Sequence, residues 1–245
     1  MSKKLEGKIA VVTGGSSGIG LGAAKAFASE GARVFITGRN QVALDKAVAE
    51  IGGSAVGVQG DAAVLADIDK IYATVAEKVE RIDFLMLNAG LFEPMAIGEI
   101  TEEHFDKLYN TNVRGLLFGF QKALPYLAET ASVILTGSIG ATIGIPGMSV
   151  YGSTKAAIRS LVRGWILDLK GRGIRINVLA PGHTETPGLD ALVNDEQRAF
   201  MISTIPLDRL GTAEDIGKAA VFLASDDSQY VNGIQLDVDG GVAQY

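Results

Sequence analysis

A tyrosine and a lysine lie four residues apart in the second half of the chain, and a serine precedes them. Tyr151 and Lys155 have the spacing of one helical turn, and Ser138 follows the apolar run Val133–Leu135. Residues at this spacing share one face of a helix, where an ammonium favours the phenolate form of a tyrosine. Ser138 can donate a hydrogen bond to an oxygen that becomes negative. The three residues predict that charge developing on an oxygen during hydride transfer is met by Ser138 and Tyr151 together, with hydride going to the carbon and a proton to the oxygen.

A glycine-rich turn separates the first apolar run from the first amphipathic segment. It reads Thr13-Gly-Gly-Ser-Ser-Gly-Ile-Gly20. Glycines at this spacing allow a tight turn, a close approach of backbone to a pyrophosphate, and a helix packed near the sheet. No Gly-Lys-Ser/Thr follows, which excludes a P-loop, whereas an ordinary strand–helix loop stays an alternative. We expect cofactor contacts from Gly14, Ser16, Ser17, Gly18, Ile19 and Gly20.

The end of the second apolar run predicts which dinucleotide binds. An NAD site places a carboxylate there, and so does a methyltransferase-type turn, but this chain has Gly38 followed by Arg39. A guanidinium can bind a 2′-phosphate and stack on adenine, so NADP(H) is predicted, although Arg39 could also be a solvated loop cation. Asp61, after the third run, can accept the adenine amino group or cap a helix.

Apolar runs alternate with amphipathic segments along all 245 residues. The runs lack a polar face, as in strands of a parallel sheet covered by helices on both sides. We expect a single doubly wound α/β domain of the Rossmann type over residues 1–245, with a seven-stranded parallel sheet flanked by helices. The predicted strands are Ile9–Val12, Val34–Ile36, Ala55–Val58, Phe84–Leu87, Val133–Leu135, Ile174–Val178 and Ile234–Val238. The predicted helices are Ile19–Ser29, Val42–Ile51, Val64–Val79, Thr101–Leu127, Val150–Lys170 and Ala213–Ala224.

One region has no clear periodicity. It runs from Pro181 to Gly211, and within it residues 187–211 are predicted to form a mobile substrate loop.

Composition excludes several classes of protein. The chain has no Cys and 2 His, which argues against a metal site, and its net charge of -6 argues against nucleic acid and anionic lipid. The uncharged stretch from Thr130 to Thr154 contains Pro146 and several glycines, so it is interpreted as strand and loop rather than a membrane span. The segment after Lys3 and Lys4 is not apolar, so no signal peptide is predicted and a cytoplasmic location is expected.

Taken together, these motifs closely resemble the classical short-chain dehydrogenase/reductase family. The resemblance spans nearly the whole chain and rests on the glycine turn, Asn88-Ala89-Gly90, Ser138, Tyr151-Gly-Ser-Thr-Lys155 and Pro181-Gly182. It implies that Tyr151 acts as the general acid in reduction and the base in oxidation. It also implies that Asn112 completes the catalytic set Asn112, Ser138, Tyr151 and Lys155 by bending a helix and holding a water that relays protons. It also implies cofactor contacts from Asn88, Ala89, Gly90, Tyr151, Lys155, Pro181, Gly182, Thr184 and Thr186.

The sequence departs from the family pattern at two positions. Leu87 stands where many relatives have an asparagine, and Thr184 replaces a usual aliphatic residue.

The family resemblance further implies a homotetramer. Its interfaces would be completed by Gly233 and Val238-Asp-Gly-Gly241 and by an apolar stripe that ordinary core packing explains almost as well. The stripe comprises Ile158, Leu161, Val162, Trp165 and Leu169.

The expected substrate is a small ketone, aldehyde or secondary alcohol. A largely hydrophobic compound is indicated by Phe92, Ile139, Ile145, Met148 and Leu189. The alternatives are an NAD(H)-dependent alcohol or sugar dehydrogenase and a catalytically silent nucleotide sensor, and the intact catalytic set argues against the sensor. Neither histidine is assigned to catalysis. His183 is expected to face water, with contact to the substrate as the alternative, and His104 is expected to lie at the surface or in helix packing.

Overall fold

The computed structural model describes residues 3–244, and in this part of the chain seven strands form one parallel sheet. The strands are β1 (Ile9–Thr13), β2 (Arg33–Gly38), β3 (Val56–Gln59), β4 (Ile82–Leu87), β5 (Leu127–Thr136), β6 (Arg175–Pro181) and β7 (Gln235–Val238). Their order is β3-β2-β1-β4-β5-β6-β7. The direction of winding therefore reverses between β1 and β4, where sheets of this type bind ligands at the carboxyl ends of the strands. The predicted Rossmann-type architecture is confirmed.

Helices cover both faces of the sheet. They are α1 (Gly18–Ser29), α2 (Gln41–Ile51), α3 (Leu65–Ala76), α4 (Glu102–Tyr109), α5 (Leu116–Ala123), α6 (Ser149–Asp168), α7 (Pro187–Asp190), α8 (Asp195–Ser203) and α9 (Ala213–Ala224). Successive residues of β1 point to opposite sides: Val11 packs in one apolar core, and Ala10 and Val12 in the other. Burial on both faces explains why the strands lack a polar face.

The segment predicted as one helix over Thr101–Leu127 is broken. A π-helical turn at Asn110–Gly115 separates α4 from α5, and a 3₁₀ turn follows at Leu124–Tyr126. Strand β5 then begins at Leu127, six residues before the predicted start at Val133. The prediction was wrong here because the amphipathic pattern continues through the π turn, while exposed residues interrupt the apolar pattern at the start of β5.

The missing periodicity over residues 187–211 suggested irregular structure, but the structure has two helices there. These are α7 and α8, and α8 begins with a capping box in which Asn194 and Gln197 exchange side-chain and backbone hydrogen bonds. Neither helix buries any of its residues. A helix without a buried face carries no strong apolar period, which is why the sequence pattern missed both.

The apolar stripe on α6 packs within the chain itself. Ile158 and Val162 are fully buried in one of the two cores, and the rings of Trp165 and Phe120 lie 4.7 Å apart. Core packing is therefore the interpretation that the structure supports for this stripe, and the homotetramer stays a prediction.

Within residues 3–244, no helix combines the length and apolar character needed to cross a membrane. In the same residues, no three His, Asp or Glu side chains converge as metal ligands would.

Candidate active site

A cleft lies at the carboxyl ends of the strands, at the point where the winding of the sheet reverses. Its empty volume is about 1210 Å³, and it is open to solvent. The predicted site residues that line it are Gly14, Ser16, Ser17, Gly18, Ile19, Arg39, Asp61, Asn88, Ala89, Gly90, Tyr151, Lys155 and Thr186. Those outside its lining are Gly20, Asn112, Ser138, Pro181, Gly182 and Thr184. One cavity thus joins the glycine turn to the Tyr–Lys pair.

The glycine turn has the shape of a phosphate cradle. Gly14 and Gly18 have φ angles of 64° and 53°, a region that disfavours residues with a side chain. A Cβ on Gly20 would lie 2.3 Å from the carbonyl oxygen of Gly14, so the first turn of α1 closes tightly over the loop. The hydroxyl of Ser17, the residue before α1, does not cap the helix, and the first helical turn contains no acidic residue. A helix start with no side-chain cap and no negative charge fits a pyrophosphate.

The end of β2 lies beside Asp61, because the N–H of Gly60 donates to the carbonyl oxygen of Gly38 at 3.1 Å. A Cβ on Gly38 would lie 2.8 Å from Oγ of Ser16, so a carboxylate at position 38 would need Ser16 to move. The side chain of Arg39 is 68% exposed, and its Nη1 lies 4.0 Å from Oδ2 of Asp61. Asp61 accepts a hydrogen bond from the backbone N–H of Ala63 at 2.9 Å and is not the N-cap of α3. An accessible guanidinium without a carboxylate at position 38 fits a 2′-phosphate.

Asn88 ties three strand ends together. Its Nδ2 donates to the carbonyl oxygens of Thr13 and Gly14, both at 3.2 Å, and its Oδ1 accepts from the hydroxyl of Thr136 at 3.2 Å. The side chain is therefore engaged with the ends of β1 and β5 while its backbone continues β4. It holds the floor of the cleft in place.

The helix α6 positions the Tyr–Lys pair. Lys155 is 5% exposed, donates to the carbonyl oxygen of Thr136 at 2.8 Å, and lies 5.6 Å from the centre of the Tyr151 ring. Burial lowers the pKa of Lys155 to about 8. Burial also raises the pKa of Tyr151, and a hydrogen bond with Ser138 opposes that rise.

The lowering of the Tyr151 pKa by Lys155, expected from their spacing, is not found. The ammonium faces the ring of Tyr151 and is bonded to Thr136, so burial outweighs it. Ser138, rather than Lys155, is the neighbour that favours the phenolate in this arrangement.

Asn112 lies in the π-helical turn, as the expected bend requires. Its Oδ1 accepts from the N–H of Leu91 at 2.7 Å, and its Nδ2 donates to the carbonyl oxygen of Leu91 at 2.9 Å and to the Thr154 hydroxyl at 3.1 Å. A Cβ on Gly90 would lie 3.3 Å from Oδ1 of Asn112 and 3.6 Å from Nζ of Lys155. The amide and the ammonium therefore flank the same glycine.

The segment after β6 supports one edge of the cleft. Thr184 is buried and donates to the carbonyl oxygen of Gly182 at 3.0 Å, and a Cβ on Gly182 would lie 2.6 Å from Cβ of Asp239. Thr186 lines the cleft, and its hydroxyl accepts from the N–H of Leu189 to cap α7. The segment is thus packed in place by residues that do not line the cleft themselves, namely Pro181, Gly182 and Thr184.

The residues predicted to form one apolar pocket lie in three different places. Phe92 lines the cleft, with its ring 5.1 Å from that of Tyr151 at 85°. Ile145 and Met148 line a neighbouring groove, and Ile139 is buried in a small core with Leu189 packed against it. Only Phe92 of this set reaches the cleft among residues 3–244.

Sequence reasoning missed other contributors to this site. Thr136 supplies the carbonyl that holds Lys155, while Leu91 and Thr111 line the cleft. A signal existed for Thr136, which stands at the end of β5 two residues before Ser138. His104, expected at the surface or in helix packing, is buried, and its Nε2 lies 3.0 Å from the carbonyl oxygen of Glu93. Partial burial of His183, which was expected to face water, lowers its pKa.

The fold and the cleft define a Rossmann-type protein in which a Tyr–Lys pair and a glycine-rich turn line the same cleft. Residues 14–243 match a family model described as Enoyl-(Acyl carrier protein) reductase. The chain is 44% identical over 244 residues to Oxidoreductase asL5 of Sarocladium schorii, with 99% of this chain and 98% of that protein covered. It is 35% identical over 248 residues to the NADP-dependent (R)-specific alcohol dehydrogenase of Lentilactobacillus kefiri, with 98% of each covered.

The chain is also similar to a solved reductase structure over nearly its whole length. The crystal structure of 3-ketoacyl-(acyl-carrier-protein) reductase from Brucella melitensis complexed with NADH has a TM-score of 0.91 and 32% identity, covering 98% of this chain and 99% of that one. The chain therefore belongs to the short-chain dehydrogenase/reductase family and is an oxidoreductase of that family.

Proposed function

We propose that the protein catalyses reversible hydride transfer between NADP(H) and a ketone, aldehyde or secondary alcohol. The observation that carries this proposal is the single cleft in which Arg39 and the glycine turn lie at one end and Tyr151 and Lys155 at the other. The cradle fits a pyrophosphate, Arg39 fits a 2′-phosphate, and the hydroxyl of Tyr151 is the proton-carrying group beside Ser138.

The residues of the chain handle the proton. A bound nicotinamide supplies or accepts the hydride at the substrate carbon. In reduction, Ser138 donates a hydrogen bond to the substrate oxygen, and Tyr151 gives that oxygen its proton. The buried ammonium of Lys155 lies 5.6 Å from the centre of the ring of the phenolate that is left, and Lys155 would also bind the nicotinamide ribose. In oxidation, Tyr151 acts as the base.

Asn112 acts as a positioning residue in this proposal. Its three hydrogen bonds fix Leu91 and the π-helical turn beside Lys155, so the ammonium keeps its place over the tyrosine ring. The π-helical turn opens the helix at the site where a water could connect Lys155 to solvent.

The proposed preference for NADP(H) rests on the residues at the end of β2, Gly38 and Arg39. The relatives named above include an NADP-dependent enzyme and one complexed with NADH, so family membership leaves the choice of dinucleotide to local residues. Gly38 and the exposed Arg39 favour the 2′-phosphate. The alternative, an NAD(H)-dependent alcohol or sugar dehydrogenase, is favoured by Asp61, whose carboxylate lies 4.0 Å from the guanidinium and partly neutralises it.

Initial rates with NADPH and NADH test this preference. The wild type should favour NADPH, and Arg39→Ala should lower kcat/KM for NADPH by about 10- to 100-fold, the worth of one charge-assisted phosphate contact, without changing the value for NADH. Arg163→Ala, which removes an exposed cation from α6, is the matched control. A wild type that prefers NADH, or an Arg39→Ala variant that loses both activities equally, would contradict the proposal.

A further inference from the structure

The loop after β4 is fastened immediately before Phe92. Both backbone groups of Leu91 are bonded to the side chain of Asn112, its N–H at 2.7 Å and its carbonyl oxygen at 2.9 Å. Asn112 is 1% exposed, so water does not compete for these bonds. The backbone that leads into Phe92 is therefore held at a fixed position beside the Tyr–Lys pair.

The same loop is fastened again immediately after Phe92. The carbonyl oxygen of Glu93 lies 3.0 Å from Nε2 of His104, and the carboxylate of Glu93 pairs with Lys107. Both partners lie on α4, which is a different element from the π-helical turn that holds Leu91. Phe92 is thus the one residue between two independent attachments.

The bond to His104 is made by a buried ring. His104 is 4% exposed, and its Nδ1 has no hydrogen-bond partner within residues 3–244. Since the Glu93 carbonyl can only accept, Nε2 must carry the proton and donate. A buried ring with one nitrogen unsatisfied costs stability. The bond that it does make is the one that fixes the loop at Glu93.

Phe92 itself is left open towards the cleft. Its side chain is 43% exposed although its backbone neighbours are fixed, and its ring stands at 85° to the Tyr151 ring with centroids 5.1 Å apart. A carbonyl carbon placed beside the Tyr151 hydroxyl would therefore have one of its substituents against Phe92. The exposed part of this ring is the surface which that substituent would cover.

We propose that Phe92 is a specificity-determining residue that favours a flat, unsaturated substituent on the reacting carbonyl over a saturated substituent of the same size, and that His104 is the positioning residue that holds Phe92 in place. This inference rests on the proposed function and names the substrate class. Aromatic pairs gain attraction beyond the apolar area that they bury, and that gain depends on the mutual orientation of the rings. A ring fixed at both backbone neighbours retains this orientation, whereas a freely moving side chain would offer only area.

A pair of ketones that differ in ring unsaturation separates the attraction between aromatic rings from the simple burial of apolar area. We would measure kcat/KM for acetophenone and for cyclohexyl methyl ketone in the wild type and in Phe92→Leu. The ratio of the two values should favour acetophenone in the wild type and fall by about 3- to 10-fold in Phe92→Leu, as expected for the loss of one aromatic pair. Phe105→Leu is the matched control, because Phe105 is also 43% exposed and stacks on a tyrosine, Tyr109, but on α4 outside the cleft.

Two substitutions test the role of His104. His104→Phe fills the space of the ring but cannot donate to the Glu93 carbonyl. Like Phe92→Leu, it should therefore lower the ratio of kcat/KM for acetophenone to kcat/KM for cyclohexyl methyl ketone. His104→Gln can place an amide N–H near the position of Nε2 and should restore the ratio. A merely structural loss would instead lower kcat/KM for both ketones by the same factor and leave their ratio unchanged.

A binding measurement keeps this inference distinct from the proposed function. Saturation-transfer NMR with NADPH-loaded Tyr151→Phe and Tyr151→Phe/Phe92→Leu compares the same two ketones without turnover. If the wild type reduces neither ketone but the NMR preference for acetophenone is present and depends on Phe92, the proposed activity fails for these ketones and the inference stands. An unchanged preference in Phe92→Leu, an equal change in Phe105→Leu, or the absence of binding by both ketones would overturn it.

Discussion

At the residue scale, the central feature is a lysine charge kept away from water. Lys155 is 5% exposed, and burial lowers its pKa from 10.5 to about 8. Because the folded state holds this proton less tightly than the unfolded state, the site is destabilising below pH 8, and the penalty is relieved as the pH rises from about 8 towards 10.5. The protein retains a costly charge beside the ring of Tyr151.

Removal of this charge should therefore stabilise the fold and abolish activity. The lowering of the Lys155 pKa from 10.5 to about 8 corresponds to a destabilisation of about 3 kcal/mol at pH 7, which the substitution removes. Loss of the hydrogen bond to the Thr136 carbonyl costs about 1 kcal/mol of that gain. We expect Lys155→Met to raise the free energy of unfolding by about 2 kcal/mol at pH 7, and by less at pH 10. Urea unfolding at the two pH values measures this. Equal or lower stability at pH 7 would show that the buried lysine carries no such cost.

The sequence predicted which residues meet at this site better than it predicted how they act on each other. The four-residue spacing placed Tyr151 and Lys155 on one face of α6, and the structure has them 5.6 Å apart, measured from Nζ to the ring centre. The sign of the tyrosine pKa shift could not be predicted, because it depends on the surrounding burial and on the Thr136 carbonyl, which comes from a distant strand.

At the element scale, two helices cross so closely that only glycine fits. A Cβ on Gly22 of α1 would lie 2.4 Å from the carbonyl oxygen of Ala213, the first residue of α9, and a Cβ on Gly217 of α9 would lie 2.8 Å from the carbonyl oxygen of Gly22. This contact brings α9 against α1, whose N-terminus forms the phosphate cradle. The close approach of backbones fixes the position of the cradle on the sheet.

The same substitution at two helical glycines should have opposite effects. Gly22→Ala should lower the free energy of unfolding by about 1–3 kcal/mol because the added methyl group meets the Ala213 backbone. Gly164→Ala on α6 should raise it by about 0.5–1 kcal/mol, since an added Cβ there meets nothing within 4 Å among the described residues and alanine favours a helix. Chemical denaturation of the two variants measures both effects, and changes of the same sign would contradict this account of the crossing.

Element boundaries show what an apolar period can and cannot predict. The strands β1 and β4 and the helix α9 were predicted closely because they are buried on regular faces. The π-helical turn at Asn110–Gly115 was hidden within a continuous amphipathic pattern, and α8 has no buried face to reveal it. The start of α8 could have been identified from Asn194 and Gln197, which have the spacing of a capping box.

At the scale of the whole molecule, residues 187–211 reach the cleft at Pro187 and Gly188 and are anchored by the buried side chains of Ile205 and Leu210. The helix α8, which lies between these points, buries none of its residues. Arg198 of α8 pairs with Asp190 and, at 3.6 Å, with Glu185, while Phe200 is 70% exposed. We propose that this segment moves when cofactor binds, because surface ion pairs hold a helix weakly.

Hydrogen exchange measured by mass spectrometry tests this motion. The amides of α8 should exchange much faster than those of α9, which buries six of its residues, and NADPH should slow exchange in α8 but not in α9. Equal protection of the two helices without cofactor, or no effect of NADPH on α8, would contradict a mobile segment.

The whole account depends on the hydroxyl of Tyr151, and the Tyr151→Phe variant tests it most directly. The change retains the ring and its contact with Phe92 but removes the proton donor and its bond with Ser138. We would measure kcat with NADPH and a reducible ketone together with the dissociation constant for NADPH, using Tyr230→Phe, at a fully exposed tyrosine, as the control. The account predicts that Tyr151→Phe lowers kcat by about 10²–10⁴-fold, as expected for loss of a general acid, with NADPH affinity unchanged. A variant that binds NADPH and turns over at the wild-type rate would contradict it.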